Sequence, residues 1–306
     1  MFKKKKKYES TTLPIGWNVS FNLVVGLFCF LCVFPFIFVV IISLTDDASI
    51  VEKGYSLFPS KISLDAYKYV FKTGTQLLQS YVVTIMVTAI GTIVTIMVTA
   101  LYSYALSRKE FKYRKFFAFF CFFTMLFNGG LVPTYMVVSQ MLHLKNTIWA
   151  LIMPMVVNAW YIIVLRTYFT MSISDSLIEA AKIDGAGDFY ILFRIVMPIS
   201  LPGLATIGLF SSLGYWNDWF QALLYITKPS LYPLQYLLVQ IENNITFLLN
   251  NASNIVGGES YKIIQTIPQY SLRMAMVIVC IGPIICAYPF FQRYFIKGLT
   301  VGSVKG

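Results

Sequence analysis

Apolar positions run almost unbroken from Trp17 to Leu44. They return over about 77–106, from about Phe116 onward, and over about 147–168, 203–225 and 272–292. A helix needs about 20 apolar residues to cross a bilayer, and long spans with so few charges do not suit a β-barrel. The pattern predicts an all-α polytopic membrane protein with six transmembrane helices. Trp17 suits an interfacial belt. The third span should break or bend near "NGGLVP", at Gly129, Gly130 and Pro133.

Polar positions set the organisation. The chain divides into a basic N-terminus (1–16), a first span (17–44), an extracytoplasmic loop (45–76), a five-helix core (77–292) and a tail (293–306). The core carries a polar segment at 172–202 and an outer loop at 227–271, which holds Asn243, Asn244, Asn250, Asn251 and Asn254. Six spans place both termini on one side. With the termini, the 107–115 loop and the 166–202 segment assigned inside, 16 of the 24 Lys and Arg residues fall there, while the 13 acids split 6 inside and 7 outside. That is the bias expected of cytoplasmic loops, so both termini and the 172–202 segment are expected on the cytoplasmic side of the cell membrane. Lys3 to Lys7 would hold an uncleaved N-terminal anchor inside, since its apolar run is too long for a signal peptide.

Composition removes several function classes. At 58% hydrophobic and 12% charged, the chain is neither disordered nor an ordinary soluble domain. The net charge of +11 is a topology signal rather than a nucleic-acid footprint, because no soluble basic domain carries it. Cys29, Cys32, Cys121, Cys280 and Cys286 all lie in apolar runs and read as small packing residues; His143 has no clustered ligands, so no metal site is expected. No P-loop sequence is present to cradle ATP phosphates.

The stretch "EAAKIDGAGDFYILFRIVMPISLP", residues 179–202, is the most polar, turn-bearing part of the core. Ser176 and Glu179 have capping-box spacing, although Ser172 or Ser174 could start the helix instead. Leu177, Ala180, Ala181 and Asp184 share a small, mostly apolar face. Gly185 can take a left-handed position at the helix end, Asp188 can cap a second helix, and Phe189, Leu192, Phe193 and Val196 would form its apolar stripe. Pro198 and Pro202 end that helix and start the next span. Spacing alone leaves two readings open, an interfacial connector or a contact for a partner.

A second cluster lies inside the fifth span. Tyr215, Trp216, Asn217, Asp218 and Trp219 place aromatic faces beside polar groups, a mixture suited to a sugar in a wet pathway. An interfacial aromatic belt explains the same residues. Asn158, Trp160 and Tyr161 in the fourth span are a second candidate, with packing between helices as the alternative. An ion-coupled secondary transporter would need paired intramembrane charges, of which Asp218 is the sole candidate. A membrane-embedded enzyme would need clustered His, Asp or Glu.

Glu179-Ala180-Ala181, Gly185-Ala186, Ile195 to Pro198 and Pro202 resemble the EAA motif of permease subunits in bacterial ABC importers, with Met197 where leucine is usual. "WNDWFQALLYI" and "RYFIKGLTVGSVKG" are similar to the maltose-type, carbohydrate branch, and "LYPLQYLL" to its oligosaccharide subgroup. The resemblance implies a type I ABC importer transmembrane fold without catalytic residues, binding no cofactor itself. Its partners would be a second homologous permease, two ABC ATPase subunits that hold ATP and Mg, and an extracytoplasmic sugar-binding protein. Glu179, Ala180, Ala181, Asp184, Gly185, Ala186 and Pro198 would belong to the segment docked on the ATPase, and the outer loop would reach the binding protein.

Overall fold

The structure, a computed structural model, describes residues 15–72, 74–250 and 268–303. Among these residues there is no β-strand, only an isolated antiparallel bridge between Thr45 and Ile62. The helices are α1 (Ile15–Ser43), α2 (Asp47–Lys53), α3 (Asp65–Lys72), α4 (Gly74–Ser107), α5 (Arg114–Leu126), α6 (Leu131–Met141) and α7 (Ile148–Val156). Then come α8 (Ala159–Ser172), α9 (Asp175–Ile183), α10 (Asp188–Ile199), α11 (Leu201–Asn217), α12 (Phe220–Tyr225), α13 (Leu234–Asn250) and α14 (Gln269–Ser303).

The chain forms two compact units. The first comprises residues 1–70 and 265–278. Here α1 exposes apolar side chains along nearly its whole length, which only a lipid or protein surround accommodates. The Asp47 carboxylate accepts hydrogen bonds from the backbone N–H groups of Gln269, Tyr270 and Ser271 at 3.0, 2.9 and 2.9 Å. These are orphan donors at the start of a helix, satisfied by a side chain more than 200 residues away in sequence.

The second unit, residues 71–264 and 279–306, is organised on α4. Its buried positions include Ser80, Thr84, Gly91, Thr95, Thr99 and Ser103, a stripe of small and hydroxyl side chains. Small residues let helix backbones approach closely where hydrocarbon offers no hydrophobic drive between spans. Helices α7, α8 and α11 pack against α4.

By length and apolarity, α1 and α4 can each cross a bilayer unbroken. Three further crossings arise if each bent pair is one span: α5 with α6 (114°), α7 with α8 (53°) and α10 with α11 (83°). The sixth expected span maps to α14, whose apolar part, Gln269–Ile285, is shorter. The bend expected at "NGGLVP" is there, with Gly130 at φ 87°. The outer loop expected at 227–271 differs. After a 3-10 turn at Pro229–Leu231 it continues as helix α13, whose first residue, Leu234, is fully buried and donates its N–H to Thr84 Oγ1 at 2.8 Å. Asn243 and Asn244 lie on this helix and Asn250 ends it, whereas Asn251 and Asn254 lie outside the described residues.

Candidate functional site

Helix α9 begins one turn after α8, with Ser174 at its N-cap. Ser176 is therefore already helical, and the capping box expected between Ser176 and Glu179 does not form. The far end closes with a Schellman motif: Ala186 N–H donates to Ala181 O at 2.9 Å, Gly185 N–H to Lys182 O at 3.0 Å, and Gly185 has φ +84°. That conformation favours glycine, because a Cβ there meets the following carbonyl. Asp184 is the C-cap residue. The turn is short because these bonds satisfy the last carbonyls of α9 within three residues.

Helix α10 starts at Asp188, with Gly187 as N-cap, so Asp188 occupies the first helical position rather than the expected cap. Residues Leu192–Val196 form a π turn, in which Met197 N–H reaches back five residues to Leu192 O. Pro198 follows directly. Proline lacks an N–H and its ring crowds the carbonyl one turn back, and the widened turn precedes that disruption. At Ser200 (φ −95°, ψ 17°) the helix breaks, and Pro202 sits in the first turn of α11, where its missing N–H costs nothing.

The buried face of the segment is Ile178 and Ala181 on α9 with Ile191, Leu192 and Val196 on α10. They join a core with Tyr104 of α4, Phe169 of α8 and Leu204 of α11. The expected stripe is only half right: Leu192 and Val196 are buried, but Phe189 is 71% exposed and Phe193 42%. The π turn adds a residue to one turn, which shifts the faces that α-helical spacing would align. Of the residues expected to share a face on α9, only Ala181 is buried; Leu177, Ala180 and Asp184 are exposed, as is Glu179. Ala186 is half-buried and Pro198 exposed.

Two ion pairs join this segment to the loop after α4, and sequence reading did not anticipate them. Lys109 Nζ lies 2.6 Å from Asp175 Oδ2, and Lys182 Nζ pairs with Glu110 and lies 3.9 Å from Asp188 Oδ1. The hydrogen bond from Lys109 holds the Asp175 carboxyl below its usual range, and the bond to Glu110 raises the Lys182 ammonium above its own. The run "RKE" at 108–110 was the available signal, with opposite charges adjacent beside a helix that ends in opposite charges.

The aromatic cluster of the fifth span separates. Tyr215 is 2% exposed, and its hydroxyl bonds to Thr95 Oγ1 at 2.9 Å and to Ile152 O at 3.3 Å. Its ring lies where a Cβ on Gly91 would stand, 2.7 Å from the nearest ring carbon, so only glycine fits there. Trp216 is also buried and donates Nε1–H to Cys280 O at 3.2 Å. It lines a cavity of about 370 Å³ whose other walls are mostly apolar, among them Ile85, Ile93, Leu213 and Pro283. The helix then breaks. Asn217 and Trp219 are exposed, and the half-buried Asp218 accepts the Gln221 N–H at 3.2 Å. Asn158 sits at the other break, as N-cap of α8, its Oδ1 accepting the N–H groups of Trp160 and Tyr161 at 2.9 and 3.3 Å. Asn146, also unanticipated, ties the loop before α7 to the loop after α12 by accepting Thr227 N–H at 2.7 Å. No three His, Cys, Asp or Glu side chains come together as a metal site among the described residues.

Apolar helices long enough to cross a bilayer, several of them broken, beside an exposed, polar helix–turn–helix define a helical membrane protein. Residues 107–301 match the model of the binding-protein-dependent transport system inner membrane component, and the chain belongs to that family. It is 40% identical over 280 residues, covering 92% of this chain and 95% of the relative, to the polygalacturonan/rhamnogalacturonan transport system permease protein YtcP of Bacillus subtilis (strain 168). It is 26% identical to the arabinooligosaccharides transport system permease protein AraQ of Halalkalibacterium halodurans, over 97% of this chain and 99% of the relative. Its fold is similar to a chain in the crystal structure of a bacterial ABC transporter involved in the import of the acidic polysaccharide alginate. There the TM-score is 0.76 at 28% identity, with 94% of this chain and 100% of that chain covered. The family is one of membrane permease subunits for transport, not of catalytic enzymes.

Proposed function

We propose that the chain forms half of the translocation pathway of an ATP-driven importer for a carbohydrate, an oligosaccharide, with six spans and both termini in the cytoplasm. The substrate class is supported by relatives named for polygalacturonan/rhamnogalacturonan and for arabinooligosaccharides, and by the alginate importer. The partners are a second homologous permease, two ABC ATPase subunits carrying ATP and Mg, and an extracytoplasmic sugar-binding protein.

The observation that carries the reading is the exposed edge of α9 and its Schellman turn, seated on α4, α8 and α11. The ATPase would close on this edge and swing the spans. Glu179 would meet a basic group of the ATPase and fix geometry, since an exposed ion pair adds little affinity. Ala180 permits close approach, while Ala181 seats the helix on its own protein. Asp184, Gly185 and Ala186 shape the turn, and Pro198 keeps the bend that joins the segment to α11.

On the pathway side, Asn217 and Trp219 have the exposure to meet a sugar at the break after α11, with the half-buried Asp218 between them. Tyr215 serves to position them, and Trp216 walls the cavity beside them. Asn158 shapes the corresponding break in the fourth span. The test is uptake of labelled oligogalacturonide by the complete complex in liposomes. Uptake is expected with ATP inside and no ion gradient. Uptake driven by an ion gradient without ATP would overturn the reading in favour of secondary transport.

A further inference from the structure

We infer that Lys109 and Glu110 are positioning residues that grip the two ends of α9 and make it move with α4; this rests on α9 being the coupling helix proposed above. Helix α9 has nine residues and only two buried side chains, Ile178 and Ala181. One is an alanine, so packing alone does little to fix the helix in rotation or slide. Beside it, a cavity of about 470 Å³ separates the loop from α10, lined by Tyr104, Arg108, Glu110, Phe111, Asp188 and Phe189. The joint between the end of α4 and the helix–turn–helix is thus partly hollow.

Across this joint the charges are arranged with direction. Asp175 and Lys182 lie about 10 Å apart along α9 at 1.5 Å per residue. Each sits where the helix dipole favours it, the acid in the first turn and the base in the last. Two adjacent loop residues present the opposite sign to each: Lys109 to Asp175 and Glu110 to Lys182. Sliding or reversing the helix would bring like charges together. Exposed ion pairs contribute little to stability, so what they supply is register. They also respond to salt, since the Debye length shrinks from about 10 Å at 0.1 M to about 3 Å at 1 M.

The experiment uses the complete complex in nanodiscs, with native cysteines replaced and spin labels on the exposed Lys112 and Ser176. Distances are measured without nucleotide and with ATP plus vanadate. A single narrow distribution, the same in both states, is expected when Lys109, Glu110, Asp175 and Lys182 are native. Glu110→Lys or Asp175→Lys should at least double its width, as should 1 M salt. The paired swaps Glu110→Lys with Lys182→Glu, and Lys109→Asp with Asp175→Lys, should restore the native width. Reversals that leave the distribution narrow, or swaps no narrower than the single changes, would overturn the inference. Gly185→Val is followed in parallel by ATPase stimulation. If it uncouples the complex while the reversals leave the distance narrow, the grip is wrong and the coupling reading stands. Normal coupling in Gly185→Val defeats that reading itself.

Discussion

The α9–α10 turn and the knot around Tyr215 both sit at helix interruptions, yet they are built from opposite materials. At the turn, backbone bonds and a left-handed glycine do the closing, the remaining ties are ion pairs open to water, and the outer edge is exposed. Around Tyr215, a ring fills the place of a missing Cβ, and one hydroxyl joins α11 to both α4 and α7 without water access. In the first, little energy is committed, so another molecule or the salt concentration can shift it. In the second, packing and buried hydrogen bonds leave one arrangement. If α9 is the coupling helix proposed above, the compliant place is where motion would enter and the stiff one would carry it.

The strongest way to break the stiff side is Gly91→Leu. The new side chain must displace the Tyr215 ring, and overpacking of this kind costs typically 1–3 kcal/mol, occasionally more. A fall of several degrees in the melting temperature of the detergent-purified complex is expected, and an unchanged value would remove the knot from the account.

On the compliant side, Gly185→Val places a β-branched residue at φ +84°, a strain of roughly 1–2 kcal/mol. Here the larger effect should be on function: ATP hydrolysis no longer drives uptake, although the complex still purifies. Gly185→Asn, which tolerates that conformation better, should lie between the two.

Tyr215→Phe keeps the ring and removes the hydroxyl. The loss should be roughly 1–2 kcal/mol, since two buried hydrogen bonds go at about 1 kcal/mol each, and Thr95→Val should add little to it because its bond to Tyr215 is already gone. Melting temperatures of the two single variants and the double variant would test this.

The smallest effect concerns pH at the ion pairs. Asp175 has a lowered pKa, so its contribution is complete above the usual aspartate range and lost only as pH falls through the lowered value. Lys182 has a raised pKa, so its contribution is complete below the usual lysine value and lost only as pH rises past the raised one. Between about pH 5 and 9 Asp175 and Lys182 therefore stay charged, and the spin-label distance should not move. A change near neutrality would show that some other group sets the register.

Much of this was legible from residue order. The bends at Gly130 and before Pro202 and the left-handed Gly185 follow from backbone rules that act over a few residues, whereas residue order leaves open the choice of Ser174 over Ser172 or Ser176 as the start of α9. The faces of α10 were not legible, because periodicity assumes one helix type and the π turn at Leu192–Val196 changes it. The division of Tyr215 to Trp219 between buried and exposed positions was not legible for a related reason. Adjacent residues at a helix end point in different directions, and the break at Asp218 separates buried from exposed.

Taken by itself, the sequence determined the class. Long apolar runs, a basic bias on alternate loops and the spacing of Glu179 to Pro202 needed no knowledge of what touches what, because the bilayer and the peptide backbone impose them locally. Only the tertiary structure decided which partners meet. Gly91 under Tyr215, Asp47 on the start of α14, and Lys109 and Glu110 on the ends of α9 join residues from about 65 to more than 200 positions apart. Such pairs leave no periodic trace in one chain, since the energy that selects them arises only after the helices have packed.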